Sequence, residues 1–201
     1  MTTDARSAKN AVDGALVTCD GDISTAIFPD EFYISHVVNG QQVSGIRVEK
    51  SGHDISSDKL VSVVGRIATA KDGERYIDAW SALAHESASI EPLFMNLKSL
   101  GGGSTLGGGQ RGITDAQGLN NIGTFVRVCG CVTYCDEHTF TLQDGSNVNV
   151  ICVTPKEITV NPLWRYVVVT GVSSIMKSND TYIRLVKVTV VDPVIVDNGG
   201  Q

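Results

Sequence analysis

Apolar and polar residues alternate in short runs along this chain, and the runs fall into two sets of five. In "KLVSVVGRIAT" the residues Val61, Val63, Gly65 and Ile67 share one side and Leu60 is out of phase with them. A period of two predicts strands. The first set is expected over 14–26, 30–36, 44–49, 59–69 and 75–84. The second is expected over 123–134, 138–143, 147–153, 164–174 and 181–190. Gly21, Gly65, Gly130 and Gly171 each interrupt a strand near its middle, which predicts a bulge or a bend at a barrel corner. "KDGER" and "KSNDT" carry the turn chemistry of hairpins.

The two sets are copies of one unit. "LVTCDGDISTAIFPDEFYIS" has the same form as "FVRVCGCVTYCDEHTFTLQD": Gly21 lies over Gly130, Ile23 over Val132 and Phe32 over Phe140. "VSVVGRI" at Val61 lies over "VVVTGVS" at Val167, and "YIDAW" at Tyr76 over "YIRLV" at Tyr182, both pairs 106 positions apart. Five strands, a long first strand with a central glycine and a third-to-fourth link too short for much helix fit a small Greek-key barrel of the OB type. Another β-sandwich is the alternative. The expected class is all-β, with two tandem five-stranded barrels at 1–90 and 122–201. Residues 91–121 would be a glycine-rich connector, too apolar at Leu93, Phe94, Met95, Leu97 and Leu100 to be a solvated tether.

Charge narrows the function. The chain of 201 residues has a net charge of -6 and a pI near 5.1, against the basic face that a generic phosphate-backbone binder needs. OB barrels can stack single-stranded bases on aromatic residues of their second and third strands. If this one does, the ligand face is Tyr33, Arg47, Arg66, Tyr76, Arg127 and Arg184. No apolar run reaches the ~18–20 residues of a membrane span, and no signal peptide is visible. There is no cofactor motif, no metal centre is assigned, and the four histidines have no companion at catalytic spacing. Asp72, Glu74 and Asp78 read as solvated charges in or near a hairpin turn.

Four of the five cysteines lie between Gly123 and Val153. The spacing of Cys129, Cys131, Cys135 and His138 is a poor zinc knuckle. Alignment with Asp20 and Asp22 turns Cys129 and Cys131 outward. Cys129, Cys131, Cys135 and Cys152 are therefore candidates for disulfides, in the chain or to a neighbour, or else unpaired thiols. Cys19 aligns with Val128 and is expected to be a buried free thiol.

The runs "FYI", "SGIRV", "VSVVGRIATAKDGERYIDA", "LKSLGGG", "GLNNIGTFVRVCGCVT" and "LQDGS" resemble, in this order, tandem OB-like modules of large bacterial surface or secreted proteins, most of them uncharacterised. The likeness spans roughly Asn10 to Asp192 and implies a non-enzymatic, often exported module. Cys129 and Cys131 depart from it, standing where such modules usually have a large or charged residue. The expectation is a self-assembling extracellular structural subunit, filament- or surface-layer-like. Its apolar ends, "NAVDGALV" and "VVDPVIVDNGGQ", and the connector would add as strands to a second copy. A single-stranded nucleic-acid or other ligand-binding module is the alternative.

Overall fold

The computed structural model describes residues 2–103 and 109–194. All ten expected strands form. The chain begins with β1 (Thr2–Thr3) and helix α1 (Ala5–Asn10). The first barrel follows as β2 (Leu16–Ile27), β3 (Glu31–Val38), β4 (Gln41–Glu49), β5 (Lys59–Thr69) and β6 (Arg75–Ser87). The order β2-β3-β4-β6-β5 closes through a β5–β2 pairing. Then come β7 (Leu93–Phe94) and a 3-10 turn (Leu97–Ser99). The second barrel is β8 (Phe125–Cys135), β9 (Thr139–Gln143), β10 (Val150–Val153), β11 (Tyr166–Ser178) and β12 (Thr181–Pro193), in the order β8-β9-β10-β12-β11, closing through β11–β8. Both have the strand order of an OB barrel, and closure leaves neither barrel an open sheet edge.

Register establishes the duplication. Val17 pairs with Gly65 as Val126 pairs with Gly171, and Cys19 with Val63 as Val128 with Val169. Gly65 and Gly171 sit at matching bulges, one facing Ala79 and the other Val188. A Cβ at either would overlap a backbone carbonyl oxygen of the next strand, that of Asp78 or Lys187. One alignment is corrected. Ile77 is opposite Ile67 and Val186 opposite Ser173, so the counterpart of Tyr76 is Leu185, not Tyr182. The β11–β12 hairpin is longer than its first copy, and matching the tyrosines ignores that extra length.

The repeat also starts earlier than the strand pattern suggests. β1 runs parallel to β2 beside Thr18, and β7 parallel to β8 beside Arg127. Asp4 and Asn96 then each cap a helical turn by accepting from a serine N–H, Ser7 and Ser99, as N-cap side chains do. Ala5 and Ala8 pack into the first core with Phe32, Ile46 and Val63. Leu97 and Leu100 pack into the second with Val128, Phe140 and Val169. The front of the connector is thus the first turn of the second barrel. The N-terminal segment is likewise held by its own barrel, so it is not a strand awaiting a neighbour. Of the C-terminal tail, Val194 N–H still donates to Tyr166 C=O, and 195–201 lie outside the described residues.

Besides the longer hairpin, the copies differ in a loop. Gly14 N–H donates to Ile67 C=O and Gly123 N–H to Ser173 C=O, marking one place in both barrels. Six positions separate Ala8 from Gly14, but 23 separate Leu100 from Gly123.

All five cysteines are free thiols, so the expected disulfides do not form within the chain. Cys135 and Cys152 flank Phe140 from opposite strands, about 9–10 Å apart at ordinary strand spacing, and a disulfide needs Cα atoms within about 7 Å. Cys129 is exposed but Cys152 is buried in the second core, so the cluster does not share one face. Burial raises the Cys152 thiol, and burial with Asp22 and Asp4 raises Cys19. A thiol reagent should therefore modify no more than the three unburied cysteines of the native protein, and all five in denaturant. Rapid native labelling of Cys19 or Cys152, read by mass spectrometry, would contradict this packing.

Candidate functional site: the seam between the barrels

Alternation on β3 and β4 sends Phe32, Ile34, Ile46 and Val48 into the first core and turns Tyr33, Ser35, Gly45 and Arg47 outward. The outward side of these strands is the side on which OB barrels bind their ligands. Here the second barrel covers it. Tyr33 and Ala26 pack with Val172, Phe28 and Phe125. The Gln42 side chain spans the seam like a strand backbone: its amide donates to Phe125 C=O at 2.8 Å and its carbonyl accepts from Phe125 N–H at 2.8 Å. Gly45 and Gly123 meet backbone to backbone, each lying where the other's Cβ would be.

The polar centre of the seam is Glu74, which is fully buried. It accepts from Tyr33 Oη at 2.9 Å and from Ser174 Oγ of the second barrel at 2.5 Å. Arg47 lies 3.6 Å from Glu74, 3.5 Å from Asp72 and 2.9 Å from Glu49, over the Tyr76 ring. Lys187 reaches across to Glu31 and sits over the Tyr33 ring. Burial pushes the Glu74 carboxyl up, against the pull of Lys187 and Arg47. Burial opposes the Arg47 charge, but the carboxylates, Glu74 foremost, hold it above its ordinary value.

Two side elements lock the seam. Asp22, itself buried, accepts from Ala5 N–H at 2.8 Å and meets His36 Nδ1 at 3.0 Å, which fixes α1. From α1, Lys9 donates to Ile122 C=O in the second unit. Burial lowers its ammonium to about 7, with Glu74 pulling the other way. From the long loop, Gln110 accepts from Arg75 N–H at 2.7 Å and donates to Gly73 C=O at 3.0 Å.

The residues expected to form a ligand face are dispersed. Tyr33 and Arg47 are in the seam, and Tyr76 lies beneath Arg47. Arg66 is exposed on β5, opposite Asp78 and outside the seam. Arg127 donates to Thr170 Oγ1 at 3.0 Å, and Arg184 is buried against Lys98 C=O. They do not make one surface. On the second barrel the side equivalent to Tyr33 and Arg47 carries Thr139, Thr141, Gln143, Ile151 and Val153, with neither a cation nor an aromatic ring. Glu74 is the residue the turn reading misplaced. Its register counterpart in the second copy is Ile183, but matching Tyr76 to Tyr182 sets Glu74 over Asp180, so the alignment carried no sign that this position turns inward. Gln42 and Lys9 carried none either.

Among the described residues no group of three or more His, Cys, Asp or Glu is placed to hold a metal ion. A cleft of about 350 Å³ beside the seam is lined by Asp30, Glu31, Glu49, Lys50 and Asp78, an acidic lining that repels phosphates.

No family model and no curated protein matches the chain. Among solved structures it is similar to the hypothetical protein ygiW from E. coli, with 20% identity, 42% of this chain and 90% of that chain covered, and a TM-score of 0.34. It is also similar to a murine DNA binding protein bound with ds DNA, with 8% identity, 92% and 97% covered, and a TM-score of 0.43. At these scores the likeness says nothing of role, which is argued from the chain's own residues.

Proposed function

We propose that this chain is a non-catalytic structural subunit: a rigid block of two OB barrels that associates with further copies of itself, outside the cell or at its surface. One observation carries the reading. The side of the first barrel that an OB module keeps free for a ligand is filled by the second barrel, through Tyr33, Gln42, Gly45 and Glu74. A fold whose ligand side is spent on barrel-to-barrel docking acts as a building block. The single-stranded nucleic-acid alternative loses Tyr33 and Arg47 to that docking, and a net charge of -6 opposes it.

Sedimentation velocity over a range from about 10 μM to about 1 mM, where association of about 4–7 kcal/mol becomes visible, tests the reading. Concentration-dependent species larger than 21.4 kDa are expected. A single monomer boundary throughout defeats it. Retention on single-stranded DNA at about 50 mM salt, where phosphate contacts are strong, would return the chain to the ligand-binding class. Cell fractionation of the native host tests the surface placement.

A further inference from the structure

The seam inside the chain is built from two surfaces, and each has an unused counterpart. The second barrel docks with the cross-strand row Phe125–Val172–Lys187. The same row in the first barrel is Leu16–Arg66–Asp78, joined by the same register. It is open: Leu16 is 57% exposed, and Arg66 and Asp78 are exposed. The receiving surface of the first barrel is built on the pairs Tyr33–Arg47 and Glu31–Glu49. Its counterparts in the second barrel are Thr141–Ile151 and Thr139–Val153, and Val153 is 37% exposed.

We infer that these two unused surfaces bind each other between copies, the Leu16 row of one molecule on the Ile151 side of the next. The occupant is a second copy of this chain, and the contact repeats between molecules the docking already present within one. This rests on the self-association proposed above and names its interface. Because the two surfaces differ, the contact is head to tail and adds subunits without closing.

The chemistry of the counterparts is compatible. In the seam Lys187 meets Glu31; between copies Asp78 meets the hydroxyl of Thr139, a donor for its carboxylate. Phe125 on Tyr33 becomes Leu16 on Thr141, whose cross-strand neighbour is Ile151. The receiving pairs Thr141–Ile151 and Thr139–Val153 are uncharged; the charges nearest them are the opposite pair Glu31 and Lys187, beside Val153. Two differences make the contact weaker than the seam. Asn149 stands where Gly45 allows backbone contact, so the copies sit further apart at that point. No covalent link holds the partners at a high effective concentration.

The test uses the full chain and two surface variants, Leu16→Asp and Ile151→Asp, in sedimentation velocity. A charge placed in an apolar contact without a partner is expensive to bury, so each variant alone should weaken association more than about tenfold. A one-to-one mixture should recover a dimer and nothing larger, because each variant keeps the surface the other lacks. Thr141→Lys replaces Ile151→Asp if the latter loses its native circular dichroism. Wild-type oligomers that both variants leave intact overturn this interface while the self-association reading stands. Variant mixtures that stay monomeric beside an assembling wild type also overturn it. A wild type that is monomeric throughout overturns the self-association reading itself.

Discussion

Replacing Glu74 by alanine should destabilise the protein by about 3–5 kcal/mol at pH 7, the usual cost of removing one partner from a buried charged cluster. The substitution leaves Tyr33 Oη and Ser174 Oγ without their acceptor and takes the nearest buried carboxylate from Arg47. Arg47 keeps Glu49 and Asp72, which sets the lower end of the range. Glu74→Gln should cost less, since an amide can still accept from Tyr33 and bond to Ser174, so that only the charge beside Arg47 is lost. The two variants differ in pH dependence as well. The folded-state carboxyl of Glu74 is raised above its unfolded value of 4.5, by burial first. Its contribution to stability is therefore full below pH 4.5 and is lost as pH rises through the raised folded value. Glutamine does not titrate, so the stability of Glu74→Gln relative to wild type should increase across that window. Urea denaturation at a series of pH values measures both effects. A difference that is flat with pH, or an alanine variant as stable as wild type, would mean that Glu74 is solvated.

Gly45→Val should separate the barrels. Any side chain at Gly45 collides with the backbone of Gly123 and Thr124, and backbone cannot move aside as a flexible side chain does. Overpacking a close contact costs about 1–3 kcal/mol or more, and here the whole cost falls on the seam, because Gly45 faces away from the first core. The chain carries its own reporters. Trp80 belongs to the first barrel, and Trp164 stacks edge-on against Phe140 in the second. With either tryptophan replaced by phenylalanine, fluorescence follows one barrel at a time. The two unfolding midpoints should coincide in the wild type and separate in Gly45→Val. Coincident midpoints in the variant would show that the barrels are coupled through another route.

The strands were legible in the sequence and the seam was not, for a physical reason. Alternation reports which side of a strand meets a core. It marked Val61, Val63 and Ile67 correctly because they face the core of their own barrel. It is silent about which outward residues are covered by a second barrel, and Tyr33, Ser35 and Arg47 have the composition of a wet face. The capped turns were hidden for another reason. "TDARSA" and "MNLKSL" share a cap and a serine but differ at the buried positions, Ala5 and Ala8 against Leu97 and Leu100, so similarity of apolar residues does not align them. Glu74 was misjudged because turn residues are usually solvated, whereas this turn is pressed against the other copy.

The long loop of the second unit gives the chain a fixed polarity. Gln110, rooted in the second copy, grips the β5–β6 turn of the first at Gly73 and Arg75, and the first copy has no loop long enough to return the gesture. That grip runs one way only, from the second unit to the first, and so makes the two-barrel block asymmetric at the β5–β6 turn.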